Sequence, residues 1–272
     1  MLIGLAYALL WAAELAYVAH LRTGNRWVGR VASGIALVAW GLLTAGLVRR
    51  GLAAGHWPLT NRYEFALCFG WAILTIYLLL EASWRMGAGY LQRGAGPFVL
   101  AVTLLIATYA VTRPAADRAI APLLPALRSV WLQVHVLTAM VGYAAFGVAA
   151  GLALMRLVRG KGDGRWPAAE EIERTMDRVV ALGFPWLTLG IVTGAIWAQN
   201  AWGRYWGWDP KETWALVAWL WYLLILHVRP LRRWRGRRLA VLIVAGFGIV
   251  LFTFIGVPWL VRTVRLESLH EF

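Results

Sequence analysis

The residues best suited to chemistry in this chain lie in one short stretch, Trp202-Gly-Arg-Tyr-Trp-Gly-Trp-Asp-Pro-Lys-Glu-Thr-Trp214. Tryptophan and tyrosine favour places where one side is apolar and the other wet. One reading is an aromatic belt that anchors two helix ends. Belts scatter their aromatics, whereas Gly and Asp space these ones. The other reading is a platform for a flat, apolar, partly charged ligand, built from Trp202, Gly203, Tyr205, Trp206, Trp208, Asp209 and Trp214. Asp209 also suits a helix start: Asp-Pro-Lys-Glu supplies a cap, a proline at the first helical position and an acid in the first turn. In that role it sets the angle at which the tryptophans face outward. The remaining residues with ligand chemistry are the five histidines, His20, His56, His135, His227 and His270.

The elements that must position these groups follow from composition. The chain has 272 residues, is 61% hydrophobic and only 15% charged. No soluble domain of this size could hide so much apolar surface, so the fold expected is an all-α, polytopic membrane bundle forming a single domain over residues 1–272. About eight apolar runs approach the roughly 20 residues a bilayer requires. They fall near residues 2–21, 28–48, 63–84, 97–112, 131–158, 179–200, 213–228 and 239–261. The fourth is short. Strict alternation, which a barrel would show, is absent. The polar connection at 160–178 is expected to form a short solvated helix entering the sixth run. The formal charge of +14 is not a nucleic-acid signal, because the basic residues fall between apolar runs, as orientation by positive loops produces. The single cysteine, Cys68, excludes an internal disulfide, a CxxC redox pair and covalent c-type haem attachment to this chain. It reads as a small packing residue. The first run has no basic leader and carries Glu14, so a cleaved signal peptide is not expected. Glu14 itself is a candidate functional group, or one end of an interhelix hydrogen bond.

Most of the 27 Lys and Arg residues fall on one face if the loop after the first run is placed inside, which puts both termini outside. The tryptophan-rich loop at about 200–214 then lies outside, and so do His135 and His270. Two imidazoles and a flat apolar surface are what a six-coordinate haem requires. Each histidine also has a plainer reading: His135 as a satisfied interior residue, His270 as part of a tail. The helix face that continues from His135 through Ala139, Gly142 and Phe146 is mostly small, so a bulky group could approach the backbone there. His227 lies about 20 Å deeper than Trp214, at ~1.5 Å per residue. It is either an interfacial side chain or an inner ligand. His20 is at similar depth, and a His20–His227 pair would hold a second haem. His56 has no evident partner and reads as structural. The basic outer face includes Arg204, Lys211 and Arg128, which are candidates to pair with the carboxylates of an anionic ligand. No nucleophile or acid–base cluster is apparent, so no catalytic residue is identified.

The stretch from Trp202 to Trp214 resembles the tryptophan-rich (WWD) signature of the haem-handling proteins of cytochrome c biogenesis. Its Asp-Pro-Lys-Glu-Thr-Trp form resembles the CcsA (ResC-type) branch and not the shorter CcmC branch. Three more segments are similar to that branch: Pro58-Leu-Thr-Asn61-Arg-Tyr63-Glu64, Trp131-Leu-x-x-His135-Val and Leu226-His227-x-Arg229. The chain's last residues read Ser268-Leu-His270-Glu-Phe272, where the family usually has Gly-Leu-His-Ser-Tyr. The resemblance implies that His135 and His270 ligate haem on the outer face, that the tryptophan stretch cradles it, and that His227 helps ligate a haem nearer the cytoplasm. It implies a second inner histidine from a CcsB-like membrane partner. The implied function is to move haem outward and present it to the CxxCH thiols of apocytochrome c, as a subunit of a holocytochrome c synthase. Thioredoxin-like proteins that keep those thiols reduced would act indirectly. The implied location is the cell (inner) membrane, with the loop on the periplasmic or extracellular side; a thylakoid membrane is the alternative. Two other functions share these features: a CcmC-like haem-delivery chaperone and a membrane cytochrome b-type redox subunit.

Overall fold

The computed structural model describes residues 1–85, 94–120, 125–159 and 166–264. Among the described residues the regular structure is helical throughout. The long helices are α1 (Leu2–Thr23), α2 (Arg26–Ala54), α3 (Arg62–Arg85), α4 (Gly96–Val111), α5 (Val130–Val158), α6 (Ala169–Trp202), α7 (Pro210–Val228) and α8 (Arg237–Val264). Six of them, α1, α2, α3, α5, α6 and α8, are long and apolar enough to cross a membrane. α4 is apolar but has only 16 residues, about 24 Å at the helical rise. α7 carries Lys211 and Glu212 in its first turn.

Helix ends follow local chemistry. Gly24, Gly55 and Gly203 adopt left-handed conformations that close α1, α2 and α6. Asn25 and Ser129 cap α2 and α5 by accepting from the backbone N–H of Trp27 and Trp131. The polar residues 169–178 are helical and continue without a break into the apolar part of α6. From Ala169 the chain runs as one 34-residue helix to Trp202. Ile172, Thr175, Met176, Val179 and Val180 continue the buried face at helical spacing, so nothing in the sequence ends the helix there. Residues 160–165 lie outside the described set.

α5 and α6 form the most extensive helix pair. Glycines set their separation: a Cβ on Gly142 would lie 2.8 Å from the Leu187 backbone N, and one on Gly190 would lie 3.0 Å from Ala139. This corrects one expectation. The small face of α5 leaves no room for a bulky group at Gly142, where the α6 backbone fills it, whereas Ala139, one turn nearer His135, still lines a cavity. Phe146 is fully buried and stacks on Tyr222 of α7, with ring centroids 3.4 Å apart.

Buried polar groups pin the other helices. Tyr17 of α1 donates to Glu81 of α3 at 2.7 Å, and Ser33 of α2 donates to the same carboxylate. At the end where α2 meets α3, Arg50 pairs with Glu64 at 2.6 Å. Glu64 also accepts from Thr60 N–H and Oγ1, and Asn61 Oδ1 accepts from the Glu64 N–H. The Pro58–Glu64 segment is therefore a cap and a buried ion pair. Cys68 is buried with its thiol toward the Pro58 carbonyl, consistent with a packing role.

Candidate functional site

α5, α6, α7 and α8 converge around a cavity of about 150 Å³ at the end of the bundle that carries the 203–209 loop. Its wall includes His135, Trp197, Tyr205, Trp206, Lys211 and Phe254. His135 lies near the start of α5, where Ser129 fixes the helix entry. Its Nδ1 lies 2.6 Å from the Gly190 carbonyl oxygen. A carbonyl can only accept, so Nδ1 carries a proton, and in the neutral form of the ring the lone pair would be on Nε2. The ring lies parallel to Trp197, at 9° with centroids 6.4 Å apart. Trp197 meets Trp202 edge-on at 4.7 Å. The imidazole fits because residue 194 has no side chain: a Cβ there would lie 2.6 Å from His135 Nδ1. Gly190, Gly194 and Trp197 share one face of α6 by their i, i+4, i+7 spacing.

The loop after α6 is held by its own hydrogen bonds. Asp209, 6% exposed, accepts from the Lys211 N–H, and Glu212 accepts from the Gly207 and Asp209 N–H groups. This is a reciprocal capping box, the role read for Asp209 from the sequence. It holds Trp208 at φ 57°, the one positive φ outside glycine among the described residues. A non-glycine residue costs about 1–2 kcal/mol in that region. Backbone strain of this kind concentrates at functional sites. Trp208 is 70% exposed and meets Trp206 edge-on at 5.8 Å. Trp206 and Tyr205 line the cavity, whereas Trp208 faces away from the protein. Trp214 packs edge-on against Phe252, in the π-helical turn Phe252–Gly256 of α8.

Lys211 is half-buried on the cavity wall, ahead of the apolar part of α7. Burial and then the nearby Arg62 guanidinium push its ammonium down to about 8, against the pull of Asp209. Arg204 lies over Gly207 and Arg128 is exposed. Neither is among the residues of the cavity wall.

The other histidines do not gather here. His20 is buried at the far end of α1, with Nδ1 2.8 Å from the Asn25 carbonyl. His227 is exposed near the end of α7, with Nδ1 2.8 Å from the Leu223 carbonyl. α1 packs on α2 and α4, whereas α7 packs on α6 and α8, so the two rings sit in different parts of the bundle. His56 Nδ1 meets the Trp57 carbonyl. His270 lies outside the described residues. Glu14 lines a groove with Trp11, Tyr109 and Phe252, and its Oε2 is buried with no hydrogen-bond partner among the described residues. Sequence reasoning missed Gly190, Gly194, Trp197 and Arg62. The pair of glycines four residues apart, followed by a tryptophan, was the available signal for the first three.

Residues 59–265 match the family model described as Cytochrome C assembly protein. The chain belongs to this family. Its relatives carry the CcsA branch name. The cytochrome c biogenesis protein CcsA of Parasynechococcus marenigrum is 38% identical over 247 residues, covering 79% of each chain. That of Synechocystis sp. is 31% identical over 313 residues, covering 93% of this chain and 92% of the relative. Among solved structures, cytochrome c heme lyase CcmF superposes with a TM-score of 0.70 at 19% identity, covering 93% of this chain. The chain spans 46% of that longer protein, and the likeness establishes a shared fold. In the Cytochrome C assembly family, this chain's matched region includes the whole cavity wall, from Phe65 to Phe254.

Proposed function

We propose that the chain acts in cytochrome c biogenesis by holding haem, as substrate, at the outer face of the membrane and presenting it to apocytochrome c. One observation carries the reading: an imidazole of fixed tautomer, its Nδ1 anchored to a backbone carbonyl, stands on the wall of an aromatic cavity bordered by the Trp202–Trp214 loop. An imidazole oriented through its far nitrogen is the usual arrangement of a metal-ligating histidine. The aromatic and cationic lining suits a flat apolar molecule with carboxylates.

In this reading all eight long helices span the membrane, both termini face outward, and the bundle is one domain in the cell membrane. α4 and α7 span through the protection of their neighbours. At about 150 Å³ the cavity is smaller than the roughly 300–1,000 Å³ typical of ligand sites. The loop carrying Tyr205 and Trp206 must therefore move outward to admit a macrocycle. His135 and His270 are the residues that would hold the haem iron. Trp202, Gly203, Tyr205, Trp206, Trp208 and Trp214 form the platform, and Asp209 holds it in shape. His227, exposed on α7, serves an inner site that a CcsB-like partner completes, while His20 is an alternative inner ligand. The chain contributes positioning to thioether formation. The thiols and the displacing histidine come from the CxxCH segment of the apocytochrome, kept reduced by thioredoxin-like proteins.

The test is spectroscopic. Protein purified in detergent with its partner should show a haem Soret band. His135→Gly and His270→Gly should each lower it and stop cytochrome c maturation, with added imidazole restoring part of the band. Full haem and full maturation in both variants would refute the outer-site assignment.

A further inference from the structure

The cavity end of the bundle gathers cations whose acids are already committed. Arg50 is paired with Glu64, and Arg113 donates to Asp117 at 2.9 and 2.5 Å. Glu212 accepts from two backbone N–H groups of the loop, and Asp209 accepts from the Lys211 N–H. Two cations remain. Arg62 opens α3, one turn before Phe65 of the cavity wall, and its Nη2 is buried with no hydrogen-bond partner among the described residues. Lys211 opens α7 on the same wall, within electrostatic range of Arg62. Arg262 of α8 adds a third positive charge near Arg62. A buried guanidinium N–H without an acceptor, facing other cations, is costly, because buried charges are normally paired. Bound carboxylates, one for each group, would satisfy both.

We propose that Arg62 and Lys211 form an anion anchor beside His135 that binds the carboxylate side chains of the macrocycle and sets which edge of it enters the cavity. This rests on the haem reading above. It assigns the carboxylates to a pair on α3 and α7: Lys211 is on the cavity wall and the half-buried Arg62 stands one turn before the wall residue Phe65, whereas Arg128 and Arg204 are exposed. The anchor positions the ligand; the chemistry at the opposite, apolar edge belongs to the apocytochrome's thiols. A guanidinium fork suits one carboxylate in two-point contact, and an ammonium on a flexible stem suits the second.

The experiment titrates the full-length protein, in nanodiscs of zwitterionic lipid, with ferric haem and with its dimethyl ester, which lacks the carboxylates. Wild type should bind the ester about tenfold or more weakly than haem, the effect of one charge-assisted hydrogen bond. Arg62→Gln combined with Lys211→Gln should lower haem affinity to that of the ester and leave ester affinity unchanged. The unchanged ester affinity also reports that the double variant is folded. Equal affinity of wild type for haem and ester, with binding intact, overturns the anchor but leaves the haem reading standing. Binding of neither by wild type overturns the haem reading, and the anchor with it. If the double variant differs from wild type only in nanodiscs containing an anionic phospholipid, the pair holds a lipid phosphate and the proposal is wrong.

Discussion

Gly194→Ala should disable the histidine site without touching a candidate ligand. The added Cβ would lie 2.6 Å from His135 Nδ1 and 2.8 Å from Cε1, where no real carbon sits. The neighbouring contacts leave the ring no easy retreat. It is bonded to Gly190 O on one side and stacked on Trp197 on the other. Swinging out loses the hydrogen bond, about 0.5–1.5 kcal/mol. It also loses the ring contact, about 0.5–1.5 kcal/mol by the scale of aromatic pairs. Together these amount to about 1–3 kcal/mol, or roughly 5- to 150-fold in affinity. The assay is a haem titration followed by the Soret band, in wild type and in a His135→Gly background. The loss should appear in wild type and vanish where the imidazole is already gone, since the two residues are in contact and their effects are coupled. Alanine favours helix over glycine by about 1 kcal/mol, so intrinsic propensity cannot produce a loss. An equal loss in both backgrounds would show that Gly194 acts through helix packing alone, and the account of a slot for the ring would be wrong.

Three other perturbations probe the supports of the site. Glu64→Gln removes one partner of an ion pair in which Glu64 is 1% exposed; thermal unfolding in detergent should show a loss of about 3–5 kcal/mol. Trp208→Gly relieves the positive φ and should stabilise the loop backbone by about 1 kcal/mol. Hydrogen exchange at the Gly207 and Asp209 amides should stay slow or slow further, while haem binding falls because an exposed ring of the platform is gone. The third concerns pH. Lys211, faced by Arg62, Asp209, Glu212 and His135, has its ammonium lowered to about 8 from 10.5. Between those values the unfolded chain binds more protons than the folded one, so its contribution to stability rises as pH goes from about 8 to 10.5. Lys211→Gln should remove that rise from a series of thermal melts. Carboxylate binding should weaken over the same window as the ammonium is lost.

Much of the cavity end was legible because its signals are local. A cap, a proline and an acid within four residues specify the start of α7, and the observed capping box is what Asp209 and Glu212 form. The apolar runs give most helices to within three residues, with α4 as short as its run, but α2 extends six residues past its run and α6 starts ten residues before its own. What the sequence did not show depends on which helix lies beside which. The small face of α5 looked the same whether it was to receive a ligand or another helix. Only the contact of Gly142 with the Leu187 backbone decides for the helix. The carbonyl that fixes the His135 tautomer is 55 residues away, and no local pattern announces it. His20 and His227 were matched by depth along their helices, but depth says nothing about lateral position. Their helices pack on different neighbours.

The strain at Trp208 connects the loop's shape to its use. A loop that only joined α6 to α7 would place glycine, as this loop does at Gly203, at the positive-φ position of Trp208. The chain instead holds a large, mostly exposed ring there, about 1–2 kcal/mol above its relaxed backbone. The Asp209–Glu212 box offsets that cost by fixing three backbone N–H groups, of Gly207, Asp209 and Lys211. Burial does not explain the ring, since solvent or lipid surrounds most of it. A surface that becomes covered only when a ligand or an apocytochrome arrives does explain it. On this argument Trp208 and the cavity-facing Trp206 have different partners. Trp206→Ala should weaken haem binding most, and Trp208→Ala should slow transfer to a CxxCH peptide more than it weakens haem binding. Equal effects of the two variants on both readouts would remove the distinction.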